Sequence, residues 1–346
     1  MNPNVKKIIK FLFGFLISFI FIYLAFNKLD FKEILKYLFS VKISFLVLSV
    51  FITTLSIAIK AIRWKYIIPE GESIQLNTLI KVNYISFMIN NIFPAKFGDV
   101  AKAYILGKKQ NISKTKIFAS VVFERIIDVF SIIFMFLITI LFFPEINEQI
   151  KKYFIINFDL RIFFIISISI LLFIGSIYYL LLKFRRSFVI RIINFFLKPI
   201  PEKIKEKIKN LLRKFHDGIG FSGHKRSFVL FIIFTFIYWL FIFLGIMILF
   251  FSFNFGDILT APFLIAIIVT VTSGVASSIP FTPANLGTLQ FAVIVTLSIF
   301  NVDTNEAGAY SIISHLSNWL IQILLGLFIF LSDKNYKIKE NKKEVF

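Results

Sequence analysis

Few side chains in this sequence could hold or move charge from within an apolar setting, and most of them fall between residues 60 and 130. They are Arg63, Lys96, Asp99, Lys102, Glu124, Arg125 and Asp128. Glu124 and Asp128 are four apart, so on a helix they share a face and repel unless a cation intervenes. Arg63 or a headgroup amine would serve as that cation, and Arg125 and Asp128, three apart, can pair. Ionisable groups at membrane depth are costly and usually functional. A structural or gating ion-pair network fits these residues better than catalysis, and the plainer reading is that they anchor a helix at the water interface. Asp99 and Lys102 are also spaced to share a helix face. Gly98 before them would open a helix whose free N–H groups bind anions. With Lys96 they make a candidate phosphate-headgroup site. The competing reading is a solvated basic loop in which Asp99 only stabilises a helix start.

Other chemistries find little support. The chain has no Cys, so it lacks thiolate nucleophiles, disulfides and Cys metal sites. His216, His224 and His315 show no metal-ligand spacing. No Walker motif, Asp-x-Asp pair or Gly-rich phosphate loop occurs, so no metal and no cofactor is expected. His315 lies among Ser311, Ser314 and Asn318 and reads as a neutral histidine bonded to a neighbour.

The elements that must position these residues are membrane helices. Of 346 residues 58% are hydrophobic and 17% charged, and the charges fall in clusters between long apolar runs. Clear spans are expected at 8–26, 43–59, 126–143, 161–184, 227–253 and 309–332, each near the length a bilayer needs. The fold class is therefore an all-α integral membrane protein, with about six full transmembrane helices plus two broken or re-entrant regions. Residues 1–332 form one polytopic membrane domain, followed by a basic cytoplasmic tail at 333–346. The +20 net charge sits beside the apolar spans, which points to anionic lipid and not to nucleic acid. The stretch 183–226 holds thirteen Lys/Arg against three acids and reads as a cytoplasmic, basic, amphipathic connection. Both termini should be cytoplasmic, in a plasma membrane.

That sidedness isolates the two irregular regions. Residues 60–81 and 96–116 both read as cytoplasmic, and only the uncharged 82–95 lies between them. Fourteen residues cannot cross a bilayer twice, so this segment should enter and return, breaking at Pro94. From Ile258 to Val302 no charged residue or His occurs, and Pro280, Pro283 and Gly287 should break a helix at membrane depth. The breaks echo each other: Pro94-Ala95-Lys96-Phe97-Gly98 and Pro283-Ala284-Asn285-Leu286-Gly287. Paired discontinuous helices in two halves point to a transporter site from an internal repeat. Two kinks that only help helices to pack are the alternative. Asn285 and Gln290 could bind a polar headgroup or satisfy backbone groups freed by the prolines.

Three motifs carry a family resemblance. They are Arg63-Trp64 with Asn91-Ile92-Phe93-Pro94 and Phe97-Gly98-Asp99-Val100-Ala101-Lys102; Phe123-Glu124-Arg125-Ile126-Ile127-Asp128; and Ile279-Pro280-Phe281-Thr282-Pro283 with Leu286-Gly287, then His315 and Trp319. In this order the chain resembles the flippase-like family that includes the transmembrane region of lysylphosphatidylglycerol synthases. Lys96 and Lys102 stand where Arg is common in that family, Gln290 where Glu is frequent and His315 where Arg is frequent. The resemblance implies a membrane protein that moves lipids or lipid-linked precursors between leaflets, without the soluble aminoacyl-transfer domain. The expected partners are anionic membrane lipids, with a lipid-linked sugar as a further candidate substrate. An integral-membrane glycosyl- or aminoacyl-transferase and a non-transporting membrane partner are the alternatives.

Overall fold

A computed structural model describes residues 3–68, 71–93, 96–144, 148, 225–253, 255, 261–278 and 282–333. Ten α-helices are described: α1 Pro3–Phe26, α2 Phe31–Phe39, α3 Ile43–Lys65, α4 Leu76–Ile92, α5 Phe97–Gln110, α6 Lys114–Phe142, α7 Lys225–Ser252, α8 Pro262–Ser278, α9 Thr288–Ile299 and α10 Thr304–Ser332. Their ends follow local chemistry. Asp30 caps α2 by accepting the Lys32 N–H at 2.8 Å, and Asp303 caps α10 by accepting from Asn305 and Glu306. Asn111 closes α5 in a left-handed conformation.

Among the described residues, three helices are long and apolar enough to cross a membrane: 43–65, 226–252 and 304–332. A fourth span results if residues 14–26 and 31–39, bent by 85°, count as one. Of the roughly six full spans expected, the described residues thus contain three or four. Residues 161–184 lie outside the described residues, as do the amphipathic connection across 183–224, the tail beyond Asp333, and Pro94 and Pro280. The 126–143 run forms the C-terminal part of α6.

Two buried apolar clusters mark opposite ends of the bundle. One joins the end of α3, the start of α4, the end of α5 and the start of α6 with Phe231 of α7 and Ile329 of α10. The other joins Ala25, Ile34 and Val41 with the end of α7, the start of α8, the end of α9 and the start of α10. The first cluster lies at the basic end. There Lys81 and Lys109, at the two outer ends of α4 and α5, both reach Asp333, at 3.3 and 3.6 Å. Helices α4 and α5 therefore form a hairpin entered from the basic end, and α8 and α9 form one entered from the opposite end. Thr272 and Thr296, hydrogen-bonded at 2.8 Å, pair the two arms of the second hairpin.

The hairpins belong to matching halves. Helices α3 to α6 have 23, 17, 14 and 29 residues, and α7 to α10 have 28, 17, 12 and 29. Helix α4 packs on α10 as α8 packs on α6, and α3 packs along α7. The two halves enter from opposite ends, so the repeat is inverted. Helix α10 serves as a ruler, about 43 Å long at 1.5 Å per residue. Asn91, at the end of α4, donates to Gln322 Oε1 at 2.7 Å and accepts from Trp319 Nε1 at 3.2 Å. Gln322 lies about 15 Å from the basic end of α10, and His315, beside the second break, about 16 Å from the other end. Both breaks therefore fall near the middle of the bundle, and the 283–285 turn packs against α4.

Candidate functional site

The first break turns the chain sharply. Lys96 adopts φ 56°, ψ 37°, the left-handed region, and α5 then runs back along α4. Gly98 lies where a Cβ would collide with the Ser86 carbonyl and the Asn90 side chain. Ser86 Oγ donates to the Gly98 carbonyl at 2.8 Å, and the Gly98 N–H donates to Asn90 Oδ1 at 2.8 Å. The helix start expected to offer free N–H groups to an anion thus has its Gly98 amide already taken by Asn90.

The charged residues form two joined groups. Glu124 accepts from Arg63 Nη2 at 2.9 Å and Lys102 Nζ at 2.8 Å, with Lys60 Nζ at 3.6 Å. Asp128 accepts from Arg63 Nη1 at 2.6 Å and Lys60 Nζ at 2.7 Å. Arg63 is the cation required between the two carboxylates. The expected Arg125–Asp128 pair does not form. Arg125 turns to Asp99 instead, with Nε to Oδ2 at 2.9 Å and Nη2 to Oδ1 at 2.7 Å, a two-pronged fork. Asp99 and Lys102 accordingly hold different partners on α6, and Asn90 Nδ2 donates to Asp99 Oδ1 at 3.3 Å.

The Arg63-Trp64 pair is not a lipid-interface anchor, since both are 0% exposed. Trp64 Nε1 donates to Ser120 Oγ at 3.1 Å, and its ring lies 3.8 Å under the Lys102 ammonium. Lys60 and Arg63 both lie over the Tyr238 ring, each at 4.9 Å. Lys60, not among the expected site residues, is a central member. Its signal was its spacing: three residues before Arg63, it shares that residue's helix face. The group of Lys60, Arg63, Lys102, Glu124 and Asp128 thus buries three cations against two carboxylates and ties α3, α5 and α6 together.

Beside it, α5 and α6 frame an open cavity of about 620 Å³. Its walls are Val100, Phe118, Val121, Val122, Ile126, Val129 and Phe130, and its polar lining is Lys96, Asp99 and Arg125. Lys96 is exposed, and its ammonium pairs with no carboxylate among the described residues. Because Lys96 lies at the first break, a cation is presented near mid-depth over apolar walls.

The second break repeats this plan with neutral groups. Asn285 holds φ 57° at the position matching Lys96, and Ala284 holds φ 50°. Gly287, at φ 84°, sits where a Cβ would meet the Ser18 carbonyl and Ile22 of α1. Gln290 Oε1 accepts the Gly287 N–H at 2.8 Å, so it satisfies backbone opened by the break. Its Nε2 lies 2.7 Å from His315 Nδ1, and His315 also bonds the Ala284 backbone. His315 is thus hydrogen-bonded, but its partners are Gln290 and the Ala284 backbone and not its helix neighbours Ser311, Ser314 and Asn318. Arg125 and His315 each stand eleven residues after the start of α6 and α10. The Asp99–Arg125 and Gln290–His315 contacts are therefore counterparts, one charged and one neutral. Pro283 opens the 283–285 turn, and Asn285 is half-buried. No group of three or more His, Cys, Asp or Glu able to hold a metal occurs among the described residues.

Residues 11–326 match the family described as the lysylphosphatidylglycerol synthase transmembrane region. The chain belongs to that family. Its relatives include two UPF0104 membrane proteins of Methanocaldococcus jannaschii. One is 27% identical over 344 residues, 97% of this chain and 99% of the relative; the other is 26% identical over 258 residues, 75% and 99%. A UPF0104 membrane protein of Pyrococcus horikoshii is 24% identical over 316 residues, 86% of this chain and 89% of the relative. No solved structure matches the chain. This family member is a multi-pass integral membrane protein.

Proposed function

We propose that this protein moves an anionic lipid, a phospholipid or a polyprenyl-phosphate-linked lipid, between leaflets of a membrane whose cytoplasmic face meets the basic end. The observation that carries the reading is the α5–α6 cavity, with apolar walls and the Lys96 ammonium beside the Asp99–Arg125 pair near mid-depth. A cation there is costly unless an anion visits it. An acyl or prenyl chain suits the Phe118, Ile126 and Phe130 wall, and a phosphate suits Lys96. The inverted hairpins supply the moving part that such transport needs, since each can rock against the other half around a midplane site. The Asp99–Arg125 and Gln290–His315 contacts then hold one hairpin each. The basic end carries Lys65, Lys81, Lys108, Lys109, Lys114 and Lys116, as cytoplasmic loops do.

The test is protein reconstituted in liposomes with fluorescent lipids differing in headgroup, scored by protection of the label from a membrane-impermeant quencher. Faster exchange of one anionic class than in empty liposomes supports the reading. Folded protein that accelerates no phospholipid and no polyprenyl-phosphate lipid overturns it.

A further inference from the structure

Helix α2 stands apart from the other described helices in direction and surface. It leaves α1 at 85°, so if α1 crosses the bilayer, α2 lies along its surface. It is held there firmly. The Asp30 N–H donates to Asn305 Oδ1 at 2.8 Å, and Gly308 of α10 faces Leu29 and the buried Ile34, so that a Cβ there would press on Leu29 Cδ1 and touch Ile34 Cδ1. This docking leaves a second apolar stripe free. Phe31, Leu35 and Phe39 follow at spacing four, and are 64%, 52% and 88% exposed. Next to the stripe lie the exposed Lys28, Lys32, Lys36 and Lys42. Of the acids nearby, Asp30 caps the Lys32 N–H, Glu33 pairs with Lys36 at 3.3 Å, Asp303 caps α10, and Glu306 stands in the first turn of α10. Lys28, Lys32 and Lys42 pair with no carboxylate among the described residues.

We infer that α2 is an in-plane lipid-binding helix, whose partner is the anionic phospholipid surface of the leaflet at this end. Phe31, Leu35 and Phe39 enter the boundary between headgroups and acyl chains, while the lysines meet the phosphates, the arrangement of an interfacial amphipathic helix. Because α2 is clamped to the first turns of α10, its seat in the lipid fixes how deep α10 lies. The two breaks are positioned along α10, so α2 also fixes their depth.

The chain has no Cys, so single cysteines can be spin-labelled without altering the rest of the protein. Labels replacing Leu35, Phe39 and Lys36 are compared in vesicles of phosphatidylcholine with and without phosphatidylglycerol. Collision with oxygen should dominate at positions 35 and 39, and collision with an aqueous nickel chelate at position 36. Adding phosphatidylglycerol should lower nickel access at 39 at least twofold, and a variant with Lys28→Gln, Lys32→Gln and Lys42→Gln should lose that response. A label at 39 as open to nickel as the one at 36 puts the stripe in water. A label at 39 shielded from both reagents puts it under protein. Either result overturns the proposal, and an unchanged phosphatidylglycerol response in the triple variant overturns its anionic part.

Discussion

Replacing Glu124 by Gln removes one carboxylate from a cluster in which it faces Arg63, Lys102 and Lys60 at 2.9, 2.8 and 3.6 Å. Asp128 is then left as the sole carboxylate against three buried cations. Breaking a buried pair by removing one partner costs about 3–5 kcal/mol, because the remaining charge keeps its desolvation penalty without its attraction. At roughly 2 °C per kcal/mol, the melting temperature should fall by about 6–10 °C. The assay is thermal unfolding of detergent-solubilised protein followed by intrinsic fluorescence, since Trp64 packs under Lys102. Adding Lys102→Met to Glu124→Gln brings the cluster back to two cations against one carboxylate, and should recover part of the loss. Glu33→Gln is the control, because the Glu33–Lys36 pair is exposed and worth well under about 1 kcal/mol. If Glu124→Gln melts within a degree of Glu33→Gln, the cluster does not tie α3, α5 and α6 together and the reasoning fails.

Gly98→Ala should lower the yield of folded protein, since its Cβ meets the Ser86 carbonyl on the neighbouring helix; size-exclusion profiles measure this. Gly287→Ala should do the same at the other hairpin, where φ is +84° and the Ser18 carbonyl closes the space. Arg125→Lys keeps the charge but loses the fork to Asp99, and should slow lipid exchange at least severalfold with little change in melting temperature. Gln290→Glu alone buries a carboxylate beside His315, with no arginine or lysine among the described residues to pair it as Asp99 has, and should destabilise by about 2 kcal/mol or more. Adding His315→Arg should restore most of that stability by rebuilding at the second hairpin the charged pair seen at the first, and a double-mutant cycle in melting temperature reads the coupling.

The helical class, the two breaks and their shared Pro-Ala-x-apolar-Gly pattern were legible because prolines and absent charges interrupt otherwise continuous apolar runs. Sequence alone did not show that the second hairpin enters from the opposite end to the first. That depends on which helix ends pack together, as Phe253, Ile265 and Phe300 do. In the charged cluster, local spacing showed that Glu124 and Asp128 need a cation and named Arg63. It misdirected Arg125 to Asp128, because an intrahelical neighbour was the only acid within reach of a one-dimensional count. The fold supplies a better one in Asp99, brought across from α5. The sequence puts Lys60 in the cytoplasmic stretch 60–81, since the apolar run ends at residue 59, whereas the helix continues to Lys65, more than a turn further. The bond between Gln290 and His315 joins residues 25 apart on two helices, and only the hairpin's return brings them together.

The central claim is that a cation held near mid-depth engages the headgroup of a moving lipid. Lys96→Asn tests it most directly, since Asn tolerates the left-handed conformation at this position and is the residue the second half carries there, at Asn285. The measurement is leaflet exchange of fluorescent phosphatidylglycerol and phosphatidylcholine in liposomes, with wild type, Lys96→Asn and Lys96→Arg at equal amounts of folded protein. The account predicts that Lys96→Asn loses at least tenfold in phosphatidylglycerol exchange, while Lys96→Arg retains most of it and phosphatidylcholine exchange is unchanged. Equal exchange of phosphatidylglycerol by wild type and Lys96→Asn would contradict it.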